Sequence, residues 1–298
     1  MKTRTAIVIT NPHAGRGKAH ARQMSDFCRA LRARGIGAEM VETVCAGDAT
    51  QIAARAAKEG ATDLVVAGGD GTVNEALQGI VGSHLRLCVV PRGTANVLAR
   101  ELAVPHDLAA TAEMILRGRT RFIHAGCAIT ERTNERRYFL LMAGIGLDAS
   151  IVRGVHPRLK RRVGEAAFWY SGVEHLARWQ PAPFNVEVAG ETYTATFAAI
   201  GKAPRYGGNL SITPRACLDK PEFEICLVGS NSKYRYLRLL THVVRAGLAE
   251  DTRGDVRFLR ATCARATGDA PVQADGEMIG TLPARFEISP HRVEVIVP

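Results

Sequence analysis

The sequence predicts two domains of different class: an α/β domain built on a parallel sheet, then a mainly antiparallel β domain. Three observations carry this. Up to about residue 120, short apolar runs alternate with segments of helical period. Beyond it, period-two patterns dominate, punctuated by turn residues. Between an apolar run and a helical one lies GGDGTVNEA, residues 68–76, a strand–glycine loop–helix arrangement of the kind that binds anions at the carboxyl edge of a parallel sheet.

The elements follow in order. Ala6–Ile9 reads as a strand, Asn11–Gly17 as a loop, and a helix runs to about Arg34. Gly35–Thr43 gives a second strand and Ala49–Lys58 a helix. Leu64–Ala67 leads into the glycine loop and a helix over Val73–Ile80. Leu87–Val90 leads into Pro91-Arg92-Gly93-Thr94 and a helix over Ala95–Leu102. Three loops thus lie at strand carboxyl ends and can converge on one ligand. In the second part, Tyr138–Met142, Phe184–Val188, Tyr193–Ile200, Phe223–Val228 and Val256–Ala261 read as strands, with a turn at Ala189-Gly190-Glu191. Two helical stretches, Leu159–Trp179 and Tyr234–Leu248, interrupt them.

With 298 residues and 46% hydrophobic content, the chain can bury a sizeable core. No apolar run is long enough to cross a bilayer, and the opening MKTRTAIVIT reads as a first strand rather than a signal peptide. Seven cysteines, an odd number without a CxxC pair, suggest reduced thiols and a cytoplasmic setting. The net charge of +10 suits phosphorylated ligands or anionic membranes. Nucleic acid is not an expected partner, since no helix-turn-helix, RNP motif or zinc-finger spacing occurs.

Each motif has a bland reading beside the functional one. Thr72 and Glu75 form a T-x-x-E capping box. Asp70 inside an anion-binding loop would repel a bare phosphate, which points to a nucleotide–metal site. The first loop, NPHAGRGKA, is not a Walker A: Pro12 and Ala19 stand where glycine and a hydroxyl are needed. In the third loop Thr94 can cap the following helix, or Thr94 and Asn96 can form a second polar hand on the nucleotide. Asp275-Gly276 is a common hairpin pair.

Together these motifs resemble the diacylglycerol kinase catalytic-domain family, which includes bacterial lipid kinases and is related to sphingosine and ceramide kinases. The resemblance rests on Asn11-Pro12 with Gly15, GGDGTVNEA, Pro91-Arg92-Gly93-Thr94-Ala95-Asn96, Gly144-Ile145-Gly146-Leu147-Asp148-Ala149, Lys160 with Gly164, Tyr206-Gly207-Gly208-Asn209 with Pro214 and Ala216, and Asp275-Gly276-Glu277, in that order. It implies an NAD-kinase-like nucleotide-binding α/β domain over residues 1–122 and a β-sandwich lipid-substrate domain over 123–288, with the strand at about 289–298 returning to the first. It also implies transfer of the ATP γ-phosphate to a lipid hydroxyl, with magnesium, in a cleft between domains. ATP contacts are implied at Asn11, Pro12, His13, Ala14 and Gly15, at Thr43, at Gly68, Gly69, Asp70, Gly71, Thr72, Val73, Asn74 and Glu75, and at Gly93, Thr94 and Asn96. Glu277 is the implied general base, with Asp275 as the alternative, and Asp70 lies near the catalytic magnesium.

Two departures from the family pattern bear on an accessory metal. Where the family reads A-x-L-x-D-G-x-L, this chain has Ala216-Cys217-Leu218-Asp219-Lys220-Pro221-Glu222-Phe223; where the family often has aspartate in an R-x-x-D-L-G context, His124 stands. Hard cations need oxygen ligands, so the accessory magnesium site near Cys217, Asp219 and Lys220 is expected to be lost. Either the Lys220 ammonium replaces the cation or Asp219 rescues the site by a shift of register. The lipid substrate implies peripheral contact with an anionic membrane, for which Arg153–Arg162 and Tyr234–Arg245 are the basic candidates. Oligomeric state is open, with a homodimer as one option. Two other readings stand beside the lipid kinase: an NAD kinase, which shares a GGDG loop, and a non-catalytic nucleotide or lipid sensor.

Overall fold

The computed structural model describes residues 4–12, 17–146, 182–206, 210–230, 232, 236 and 255–298. The chain divides into two compact units, Met1–Ile123 with His291–Pro298, and His124–Pro290.

In the first unit the elements run β1 (Thr5–Thr10), α1 (Gly17–Ala33), β2 (Gly37–Glu42), α2 (Asp48–Lys58), β3 (Asp63–Gly68), α3 (Asp70–Ile80), β4 (Arg86–Pro91), α4 (Val97–Glu101) and α5 (Leu108–Arg117). The four strands pair in parallel in the order β2-β1-β3-β4. β3 is buried along its whole length, which is why Leu64-Val65-Val66-Ala67 is a continuous apolar run rather than an alternating one. At the amino edge the buried Asp63 carboxylate is clamped by Arg4 Nε at 2.6 Å and Arg86 Nε at 2.7 Å. A buried carboxylate needs such pairing, and it fixes where three strands start.

Helix boundaries differ from the sequence expectation in three places. α3 begins at Asp70, not Val73, with Gly69 as N-cap and Val73 N–H donating to the Gly69 carbonyl. Thr72 is therefore inside the helix and cannot close a capping box. α4 starts at Val97 because Asn96 takes a left-handed conformation (φ 47°), so Thr94 does not cap it. α5, capped by Asp107 through the Ala110 N–H, has no counterpart in the sequence reading.

The second unit starts within β5 (Thr120–Thr130) and continues through β6 (Arg136–Phe139), β7 (Met142–Gly146), β8 (Phe184–Val188), β9 (Glu191–Ala195), β10 (Phe197–Gly201), β11 (Arg205–Tyr206), β12 (Leu210–Ser211), β13 (Phe223–Val228), β14 (Val256–Ala261), β15 (Cys263–Thr267), β16 (Pro271–Ala274), β17 (Glu277–Thr281) and β18 (Ala284–Ile296). One sheet has the order β14-β13-β10-β7-β16-β17, all antiparallel. A second ladder runs β9-β8-β15 and the start of β18, also antiparallel. Their inner faces share a core containing Phe139, Val186, Ile200, Phe223, Ile225 and Phe286, with the Phe139 and Phe223 rings stacked at 5.8 Å. This is the expected antiparallel β-sandwich.

Two expected strands are broken. Tyr138–Met142 divides at Leu140-Leu141, and Tyr193–Ile200 divides at Thr196. Thr196 is buried and its hydroxyl bonds the Ser230 carbonyl at 2.7 Å and pairs with the Tyr236 hydroxyl at 2.6 Å. Tyr236, expected on a membrane-facing stretch, is thus buried. The end of β18 leaves this unit and pairs in parallel with β4, Glu294 opposite Arg86 and Val295 opposite Leu87.

Candidate active site

The site in the first unit is built at the carboxyl ends of β1, β3 and β4, with the end of β2 beside them. Gly69 and Gly93 bring two loops into backbone contact: a Cβ on Gly93 would lie 2.5 Å from Gly69 Cα, and one on Gly69 would lie 3.2 Å from Gly93 Cα. The Arg92 N–H donates to the Gly68 carbonyl at 3.0 Å, fixing the approach. Asn96 closes its own loop, accepting from Gly93 N–H and donating to the Gly93 carbonyl, both at 2.8 Å. Asn96 thereby braces its own loop. Asn11 reaches the Thr72 hydroxyl from β1 (3.3 Å), and Thr43 N–H donates to the Thr10 carbonyl (2.9 Å). The β1, β2 and β3 ends are thereby tied together.

At this edge lies the N-terminus of α3, where the first N–H groups of a helix have no partner within it. A Cβ on Gly71 would meet nothing within 4 Å, so backbone lies open to an approaching phosphate. Asp70 does not face that space unpaired. Its two carboxylate oxygens accept the Val97 and Leu98 N–H groups, each at 3.1 Å, and so cap α4. Each oxygen keeps a second lone pair, so the carboxylate is oriented by these bonds and still able to ligate a cation. Glu75, expected in the capping box, instead accepts the Gly47 N–H at 3.0 Å. The neighbouring loop is closed by Asp48, whose carboxylate is held below its usual range by the Cys45 and Val44 N–H groups. Beside it Val44 is a largely exposed apolar side chain. Asn74 is buried one turn along α3. His13, Ala14 and Gly15 lie outside the described residues, as do 147–149, Lys160, Gly164, 207–209 and the basic stretch Arg153–Arg162; of Tyr234–Arg245 only Tyr236 is described.

In the second unit the DGE segment is a tight turn and a candidate site at once. Asp275 and Gly276 both have positive φ (47° and 84°), the signature of a type I′ hairpin between β16 and β17. The Asp275 carboxylate accepts three backbone N–H groups, Leu140 at 2.8 Å, Leu141 at 3.0 Å and Met142 at 2.9 Å. This capture bends the chain between β6 and β7, the break that period-two patterning does not reveal. These three bonds give Asp275 a structural role at the bend. Glu277, two residues on, is exposed at the start of β17.

The segment carrying the accessory-metal departures is organised around a residue that the sequence reading passed over. Lys202 is fully buried, and its ammonium donates to the main-chain carbonyls of Cys217 (3.0 Å), Glu222 (3.1 Å) and Lys220. The Lys220 side chain is half-exposed with Nζ 4.0 Å from the Glu222 carboxylate. The cation among these carbonyls is thus Lys202, not Lys220. His124 N–H donates to the Leu218 carbonyl of the same loop at 2.8 Å. The only sequence signal was a lysine directly after an apolar strand, Ala198-Ala199-Ile200-Gly201-Lys202. No cluster of three or more His, Cys, Asp or Glu suited to a metal occurs among the described residues.

An α/β unit with converging glycine loops, joined to a β-sandwich with a DGE hairpin, defines a phosphotransferase. Residues 5–128 match the diacylglycerol kinase catalytic domain, and residues 142–297 match the YegS C-terminal NAD kinase beta sandwich-like domain. The chain belongs to this diacylglycerol kinase family. It is 29% identical to a diacylglycerol kinase of Mycobacterium tuberculosis, over 97% of this chain and 94% of that one. It is 26% identical to a diacylglycerol kinase of Bacillus subtilis, over 98% and 96%. Its fold matches the crystal structure of a diacylglycerol kinase from Bacillus anthracis str. Sterne, with a TM-score of 0.76 at 21% identity, covering 100% of this chain and 98% of that one.

Proposed function

We propose that this chain transfers the γ-phosphate of ATP to the hydroxyl of a diacylglycerol-like lipid. The observation that carries the reading is the open backbone at Gly71, set at the N-terminus of α3 by the Gly69–Gly93 contact, in a chain whose family is that of diacylglycerol kinases. Helix N–H groups and glycine backbone receive the phosphates. Asn11, Thr43 and Thr72 border that space and are the nucleotide contacts we favour. Asp70, oriented by the α4 N–H groups, is the residue that would hold magnesium. Magnesium, when bound with the nucleotide, neutralises charge on the phosphates. Glu277 would take the proton of the lipid hydroxyl; the lipid oxygen then bonds the γ-phosphorus as the bond from that phosphorus to the ADP oxygen breaks. The products are a phosphorylated lipid and ADP.

No described helix is long and apolar enough to cross a membrane. The net charge of +10 supports peripheral association with an anionic membrane surface from the cytoplasmic side, where a membrane-resident lipid is met. The test is transfer of radiolabelled γ-phosphate to diacylglycerol, monoacylglycerol, sphingosine, ceramide and NAD in mixed micelles. Labelled diacylglycerol, abolished by Glu277→Ala, supports the reading. Label on NAD alone, or ATP binding with no acceptor, overturns it.

A further inference from the structure

The family resemblance implies an accessory metal near residues 217–220, and the residues present do not fit one. Position 124 is histidine, 220 is a half-exposed lysine and 221 is proline, while the carbonyls of Cys217, Lys220 and Glu222 converge on the Lys202 ammonium. We propose that Lys202 is a built-in cation, a positioning residue that holds the 217–222 loop without a divalent metal and sets the place of the Asp275–Glu277 hairpin.

The geometry supports both halves. Three carbonyl acceptors meet one nitrogen, and only the protonated amine has three N–H donors to give them. Burial draws the Lys202 pKa down to about 8, with Cys217, Glu222 and Asp219 opposing the shift, so the group is charged at neutral pH. A divalent ion could not share the spot with an ammonium already bonded to those oxygens. On the other side, the backbone N–H groups of Lys202 and Ala203 donate to the Leu141 carbonyl at 2.8 and 3.1 Å. Leu141 N–H in turn donates to Asp275, and Glu277 follows two residues on. The path therefore runs from the carbonyl cage through Lys202 and the Leu140–Met142 bend to the hairpin carrying the candidate base. Every contact in it lies within the second unit.

The inference rests on the proposed kinase reading only where Glu277 is called the base, and the experiment separates the two. Nucleotide-free wild-type chain is titrated with Mn2+ by electron paramagnetic resonance. It is also melted in magnesium and in EDTA. The expected result is no stoichiometric Mn2+ site at the 217–222 loop, located by anomalous scattering, and the same Tm in both buffers. One Mn2+ at that loop, with a Tm lowered by EDTA, overturns the built-in cation whatever the protein phosphorylates. Lys202→Met and Lys202→Gln then test the positioning role. Amide hydrogen exchange at Leu141 and Met142 is expected to accelerate at least tenfold. Where turnover is measurable, kcat falls about 10- to 100-fold, the scale on which misplacement of a reacting group costs rate, with KM for ATP unchanged. A triple variant, Lys202→Met with Lys220→Asp and His124→Asp, is expected to gain a Mn2+ site and an EDTA-sensitive Tm. Unaltered exchange in both single variants, or a loss confined to KM for ATP, refutes positioning.

Discussion

Which carboxylate of the DGE turn is the base can be decided by separating stability from turnover. Asp275 accepts three N–H groups, from Leu140, Leu141 and Met142, all in buried residues. In Asp275→Asn the amide oxygen can stand at Oδ1 and keep the Leu141 and Met142 bonds, but an NH2 then faces the Leu140 N–H. One lost bond to a charged acceptor, with one buried donor unsatisfied, costs about 2 kcal/mol. Asp275→Ala orphans all three donors, about 4 kcal/mol or more on the same scale. For a domain of this size the two values correspond to drops in Tm of about 4–8 °C and roughly 10 °C or more. Glu277 is exposed, and Glu277→Gln leaves the chain isosteric, so its Tm should stay within about 1 °C, since exposed substitutions shift stability by only a few tenths of a kcal/mol. Differential scanning fluorimetry gives the Tm values and the micelle assay the rates. The expected outcome is that Glu277→Gln loses turnover at wild-type Tm, whereas Asp275→Asn loses stability and keeps measurable turnover below its own melting range. An Asp275→Asn variant with wild-type Tm and no turnover would refute it and make Asp275 the base.

Gly93→Ala places a methyl 2.5 Å from Gly69 Cα, so the two loops must part; KM for ATP should rise at least tenfold, read from initial rates, and Tm should fall by a few degrees, since a clash with backbone costs about 1–3 kcal/mol. Asp70→Ala removes the acceptor for two N–H groups of α4 and should lower Tm by about 2–8 °C, from about 1–2 kcal/mol of lost capping, as well as abolish activity. Thiol labelling at pH 8 should modify exposed Cys263 first. Exposed Cys45 should lag, because its hydrogen bond to Asp48 raises its pKa and leaves less thiolate. Cys127, pushed up to about 11 by burial, and Cys28, Cys88 and Cys226, also raised by burial, should react only on unfolding; mass spectrometry of tryptic peptides orders them.

What the sequence revealed were properties local in the chain. The buried strand Leu64–Ala67, the hairpin at Ala189-Gly190 and the strands Phe184–Val188, Phe223–Val228 and Val256–Ala261 follow from hydrophobic period and turn chemistry, and they stand where expected. The glycine loops were legible because glycine is needed where backbones touch. What escaped was set by contacts distant in sequence. Asp275 bends a segment some 135 residues earlier, Glu75 holds the Gly47 loop instead of its own helix start, and Asp70 caps a helix 27 residues on. Lys202 escaped for the same reason: a lysine after an apolar strand looks like any solvated loop cation until the three carbonyls around it are seen.

The pairing of Glu294 and Val295 with Arg86 and Leu87 has a consequence for how the protein is made. On the ribosome, β4 emerges with one neighbour, β3, and its other edge bare. Its second partner is translated roughly 200 residues later, a wait of about 10–40 s at ordinary elongation rates. For that interval the nascent nucleotide unit displays an unpaired edge strand reading Arg86-Leu87-Cys88-Val89-Val90, with two apolar β-branched residues in a row. Chaperone demand should therefore concentrate in that window, and a fragment ending near residue 123 should be prone to edge-to-edge association. Supplying the final strand as a separate peptide should relieve it.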